Sequence, residues 1–261
     1  MSKLFRAILL PIVLSLVAAT GVRAQEEPAT IWQAAASDDV VRLQALVEED
    51  SDAINAGDKF GNTPLHHAAW TGAIKAMEWL IDQGAEIDLK SDQQWTPLHW
   101  ATRNGKLSSV DLLLRHGAEV NTIGHLGQTA LHLAAKNDFE QTVSRLLEAK
   151  ADPNAGDING QTPMHFAALD GYTAIVIDLL DNGGDIEAKT DWGATPLSAA
   201  AARGRTSTVA ALLVRDANID PVTDAGWTPL FASVVGKFKA PTKFLRDNGA
   251  NIHVVTKAGN T

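Results

Sequence analysis

Apolar positions recur along this chain at helical spacing and also on a longer ruler of 33 residues. Leu80, Leu113, Leu146, Leu179, Leu212 and Leu245 mark that ruler, and seventeen residues before each leucine stands a threonine: Thr63, Thr96, Thr129, Thr162, Thr195 and Thr228. A fixed internal period of this length predicts an array of units, each packing only against its neighbours.

The residues 58–90 show what one unit should build. Thr63 is a good helix N-cap, and Pro64 suits the first helical position, where its missing N–H costs nothing. Small Ala68 and Ala69 allow close helix approach, and Gly72 should end this short helix. A second helix is expected over about 74–82, with Met77, Leu80 and Ile81 on one face. Gly84 then stops it in the left-handed conformation that glycine tolerates. The chain leads from there through an extended turn into the next unit.

The tetrapeptide Thr63-Pro64-Leu65-His66 returns as Thr96-Pro97-Leu98-His99, Thr129-Ala130-Leu131-His132 and Thr162-Pro163-Met164-His165, then as Thr195-Pro196-Leu197-Ser198 and Thr228-Pro229-Leu230-Phe231. Period, motif, glycines and leucines together resemble the ankyrin repeat family over about residues 30–261. The resemblance implies an all-α solenoid of stacked helix-turn-helix units with projecting hairpin-like fingers. It also implies a concave face, lined by finger tips and first helices, that binds other proteins.

The expected organisation is a degenerate N-terminal capping repeat over 25–57, six repeats over 58–255, and the start of a further repeat at 256–261. In the cap, Trp32 stands where Leu65 falls later, and Asp38, Asp39, Glu48 and Glu49 make an outer polar side. The sixth unit carries Lys237, Thr242 and Arg246 at positions that are glycine or apolar in other units, as a polar cap would. Thr261 nevertheless reopens the motif 33 residues after Thr228. Asp138 replaces the glycine between helices in the third unit, and Lys150 and Asp216 replace the glycine after the second helix in the third and fifth; these turns should be less stable. Ser198 and Phe231 remove the motif histidine from the last two units.

Residues 1–24 have the form of an export signal. Lys3 and Arg6 precede an uncharged apolar run over 7–19, and Val22-Arg23-Ala24 fits a small-x-small cleavage site. The run is shorter than the roughly 20 residues of a spanning helix, so membrane association is expected only if the segment stays uncleaved. The junction looks bacterial, and the expected location is outside the cytoplasm, in the periplasm or beyond. There is no cysteine, which suits an oxidising compartment.

Charge removes one class of partner. The whole chain carries a formal charge of -9. Residues 1–24 hold three basic residues and no acid, which leaves 19 of the 22 basic residues against all 31 acidic ones, or -12. No basic cluster could displace counterions from a polyanion, so nucleic acid is not an expected partner.

Chemistry is not encoded in any recognised motif. The chain lacks a nucleophile elbow, an H-E-x-x-H helix, a phosphate loop and a dinucleotide fingerprint, so no enzyme, no catalytic residue, no cofactor and no metal site is expected. The recurrent histidines sit on helices that pack roughly 8 to 10 Å apart. Ligands of one zinc must each reach about 2 Å from it, so hydrogen bonding between finger and helix is the better role. The acidic stretch 152–160 lacks the sixth-place glycine and twelfth-place acid of a calcium loop and aligns with the other fingers.

What the repeat does not need is informative. The family resemblance places the positions one and three before the motif threonine, and seven after it, on the groove. Here they include Phe60, Trp95, Leu126, Trp192 and Trp227 on fingers and Trp70, Arg103 and Lys136 on first helices. Tryptophan and arginine dominate binding hot spots. Trp95 and Trp227 could equally serve by packing on the next finger, whereas Trp32, Trp79 and Trp100 fall at core positions. The expected function is a monomeric, non-enzymatic scaffold binding a protein partner through this face. The alternative is a structural or membrane-tethered envelope protein without a groove partner.

Overall fold

Among the described residues, thirteen left-handed glycines mark the finger tips, the turns between paired helices and the ends of second helices. The structure, a computed structural model, describes residues 30–253; the expected export signal, residues 25–29 of the cap and the reopened motif at 256–261 lie outside the described residues. Among the described residues there are fourteen α-helices and no strand. They form seven successive pairs: α1 Ile31–Ala36 with α2 Val40–Glu49, α3 Pro64–Thr71 with α4 Ile74–Asp82, α5 Pro97–Arg103 with α6 Leu107–Arg115, and α7 Ala130–Lys136 with α8 Glu140–Glu148. The series continues with α9 Pro163–Asp170 and α10 Thr173–Asp181, α11 Pro196–Ala202 and α12 Thr206–Val214, and α13 Pro229–Val235 and α14 Lys239–Asp247.

Each helix pair packs on the next, first helix against first helix and second against second. The core is correspondingly continuous, running from Leu43 through Leu65, Leu80, Leu98, Leu113, Leu131, Leu146, Leu179 and Leu212 to Leu245. Ala68, Ala101, Ala134, Ala167 and Ala200 are fully buried between neighbouring first helices, which is why side chains this small recur there. The expected repeat solenoid is therefore present, and the marker leucines are its spine.

The turns keep their geometry where glycine is missing. Asp138, Lys150 and Asp216 hold φ of 60°, 70° and 64°, and Asp38 and Lys237 do the same in the first and last pairs. A side chain in this region is strained by roughly 1 kcal/mol against glycine. The array thus imposes the turn on whatever residue stands there.

Fingers are hairpin-like without forming strands. Each is closed by a backbone bond, as from Ser91 N to Trp95 O and from Thr223 N to Trp227 O. The residue five before the motif threonine often adds side-chain support: Asp58 accepts from the N–H groups of Phe60 and Asn62, and Asp157 from those of Asn159 and Gln161. Fingers also bond to one another, Asp92 N to Phe60 O and Asp224 N to Trp192 O, each at 3.0 Å. Asp157 is doing the work of a turn, not of a calcium loop.

A second ladder ties the units on their loop side. Asn55, Asp88, Asn121, Asn154, Glu187 and Asp220 each accept from a backbone N–H 31 residues on. These acceptors also follow the 33-residue ruler, a signal present in the sequence beside the more conspicuous threonines.

Candidate functional site

The motif histidines explain how the finger is held over the first helix. In the first four full units the backbone N–H of the threonine points at histidine Nδ1, at 3.0 to 3.2 Å. The Nε2 atoms of His66, His99, His132 and His165 meet the carbonyls of Trp95, Gln128, Gln161 and Ala194, each 29 residues ahead, at 2.9 to 3.2 Å. A backbone N–H only donates and a carbonyl only accepts, so the proton must sit on Nε2 and Nδ1 must be bare. All four rings are 1% exposed. Burial disfavours the charged ring and pushes His66 and His99 down to about 4, with His132 and His165 lowered in the same direction. His67, next to His66, turns the other way and meets Asp58 at 2.9 Å.

The ladder stops at the fifth unit. Ser198 stands where the next imidazole would be, and its hydroxyl stays with Thr195, 3.2 Å away. The carbonyl of Trp227, which a fifth histidine would reach, keeps the finger's own bond from Thr223 N, while the Ser198 hydroxyl is engaged elsewhere. A cavity of about 380 Å³ opens at this point between two fingers. Trp192 and Trp227 contribute its large aromatic surfaces, and Ala199, Ala202 and Ala225 leave it wide. No charged side chain lines it.

The other aromatic candidates form a different arrangement. Trp70, half exposed, donates its indole N–H to Asn104 Oδ1 at 2.9 Å and lies 5.6 Å from Trp100. Trp100 packs edge-on against Trp95, 4.8 Å between centroids, and Trp95 stacks on His99. The Arg103 guanidinium covers the Trp95 ring at 4.8 Å. Trp95 is consequently only 3% exposed, so of the two roles its position left open, groove and packing, it takes packing and the groove assignment is corrected: Arg103, His99 and Trp100 already surround its ring. Its indole packs within the second unit and lies beside Gly124, where the third begins.

The remaining candidates are exposed but not gathered into one patch. Phe60 carries Lys59 over its ring at 4.9 Å, and Lys136 lies 5.6 Å above buried Phe166. Leu126 is exposed at the tip of a short 3₁₀ turn, His125–Gly127, with φ of 57°. The structure therefore brings together Trp70 with Arg103 by way of Trp95 and Trp100, and separately Trp192 with Trp227. The alanines between the latter pair had no place among the expected site residues, and Ser198 entered only as a lost histidine. Trp32 and Trp79 pack against the core, as their positions suggested, and Trp32 donates its N–H to Ala56 O.

Among the described residues no group of three histidines, aspartates or glutamates could hold a metal ion, and no helix is long and apolar enough to cross a membrane.

Comparison with known proteins agrees with the architecture. The family model described as ankyrin repeats (3 copies) matches four overlapping stretches, residues 4–91, 31–124, 98–190 and 177–256. Among curated proteins, the chain is 36% identical over 61 residues to the 2-5A-dependent ribonuclease of Mus musculus, covering 23% of this chain and 8% of that protein. It is 38% identical over 61 residues to inversin of Danio rerio, covering 23% of this chain and 6% of that protein. The similarity thus spans less than a tenth of either relative.

Proposed function

Since this chain belongs to the ankyrin repeat family, we propose that it is a non-enzymatic protein-binding scaffold whose partner lies along the finger and first-helix face. Ankyrin repeats as a class suggest protein interaction. The observation that carries the assignment to this face is the neutral cavity between Trp192 and Trp227, where the internal histidine ladder ends and two tryptophans remain 46% and 40% exposed. Large aromatic surfaces held by rigid fingers lose little entropy on binding, which is the property of a hot spot. The acidic balance of the chain favours a basic or neutral partner.

We further propose that the scaffold works outside the cytoplasm, after removal of residues 1–24. Fractionation with N-terminal sequencing tests this: a mature chain beginning at Gln25 in the exported fraction supports it, and an intact Met1 terminus in the cytosol contradicts it.

The groove is tested in the source cell by photocrosslinking. A benzophenone side chain at Trp192 should form one discrete adduct with a partner protein, and the same group at exposed Glu78 on the second helix should not. Equal or absent adducts at both positions contradict groove binding.

A further inference from the structure

The four intact units show which chemistry completes a finger in this protein. In each, a flat ring with a protonated ring nitrogen lies under the next finger and donates to a carbonyl: Trp95, Gln128, Gln161 and Ala194 all receive that bond. Trp227 does not, because Ser198 is too short to span the distance and is engaged with Thr195. The ring is missing in the same unit that holds the large cavity.

We propose, building on the groove reading above, that this cavity is a subsite for an aromatic side chain bearing a ring N–H, supplied by the bound protein. That ring takes the place of the fifth motif histidine, donates to the carbonyl of Trp227, and lies between the Trp192 and Trp227 indoles.

Three features select that occupant. The lining carries no charge, so a neutral ring enters without leaving an ion desolvated. Asp191 and Asp224 stand exposed on the adjoining finger tips, directly before Trp192 and before Ala225, and they disfavour an anionic group. The volume of about 380 Å³ exceeds what a lone imidazole fills, and the alanines at 199, 202 and 225 leave room for a two-ring system. Position 202 is instructive, because the same register holds Trp70, Arg103 and Lys136 in earlier units. A long side chain there would cover the cavity as Arg103 covers Trp95.

The test uses indole as the probe and reads the tryptophan side-chain N–H signals of the nitrogen-15-labelled protein by NMR. Indole is expected to shift the Trp192 and Trp227 signals and leave those of Trp32 and Trp79 in place. 1-Methylindole, which keeps the ring but lacks the donor, should bind about fivefold more weakly, the loss expected of one neutral hydrogen bond. Ser198→His rebuilds the ladder, so it should abolish indole binding and raise the unfolding midpoint. Ala202→Leu fills the cavity from an exposed position without touching the ladder, and it should weaken indole at least tenfold.

Indole that binds Ser198→His and Ala202→Leu as tightly as the parent overturns the proposal, as does equal affinity for 1-methylindole or the absence of any shift at Trp192 and Trp227 up to the solubility limit of indole. None of these readouts requires the partner. The subsite can fail while photocrosslinking at Trp192 still succeeds, and the two conclusions are thereby separable.

Discussion

His66 Nε2 lies 2.9 Å from the carbonyl oxygen of Trp95, 29 residues later in the chain. Because the same ring accepts from Thr63 N at 3.0 Å, one imidazole joins the start of a helix to the finger of the following unit. The bond requires a neutral ring with its proton on Nε2, and that requirement sets the acid sensitivity of the fold.

In the unfolded chain these histidines titrate near 6.5, whereas His66 and His99 in the folded chain titrate at about 4. The unfolded state therefore binds more protons between those values, and stability rises with pH across that window. The contribution is complete above about pH 6.5 and is lost as pH falls toward 4. Urea midpoints measured from pH 8 to 4 should be flat at the upper end and decline below 6.5. A flat profile down to pH 4 contradicts the burial of these rings in neutral form.

Strain at the non-glycine turns is recoverable. Lys150→Gly and Asp216→Gly should each raise stability by about 0.5 to 1 kcal/mol, since glycine relieves the positive φ at some cost in unfolded-state entropy. Gly84→Ala at φ 91° should lower it by about 1 kcal/mol, although no atom lies within 4 Å of the added carbon. Equilibrium denaturation of the three variants checks the sign of each change.

The loop-side ladder should be worth more than its exposure suggests. Asn121 accepts from Asp152 N and donates to Lys150 O, and so joins two units across a strained turn. Asn121→Ala should cost about 1 to 2 kcal/mol, and hydrogen exchange at the Asp152 amide should accelerate. An unchanged exchange rate there would mean that the ladder does not restrain the loop.

Buried and exposed tryptophans should separate cleanly. Trp95→Ala removes a ring that is 3% exposed and should destabilise by about 3 to 5 kcal/mol. Trp192→Ala removes one that is 46% exposed and should stay within about 1 kcal/mol. Thermal unfolding of the pair distinguishes a packing residue from a surface one.

Most of the architecture could be read from spacing, because a helix N-cap, a proline and a core leucine each report local physics that neighbouring units repeat. The role of the histidines was readable for the same reason. Which of its two possible roles Trp95 takes was not, since its burial depends on Arg103, Trp100 and His99, none of which is implied by its own position. Gln94, holding φ of 61° at a finger position where the other full units carry glycine, likewise shows only in the backbone. The cavity was the hardest feature to foresee. It is made by what is small, Ala199, Ala202 and Ala225, and a missing side chain leaves little mark on a hydrophobicity pattern. The loss of the histidine at Ser198 was the available clue, and it pointed to a looser unit before it pointed to a site.

Groove binding requires exposed tryptophans that bind a protein without holding the fold. The decisive measurement is affinity capture from an envelope extract of the source organism, with the parent chain and the Trp192→Ala/Trp227→Ala double variant as parallel baits of matched thermal stability. Groove binding predicts one protein retained by the parent and reduced at least tenfold on the double variant. Equal recovery on both baits would contradict it.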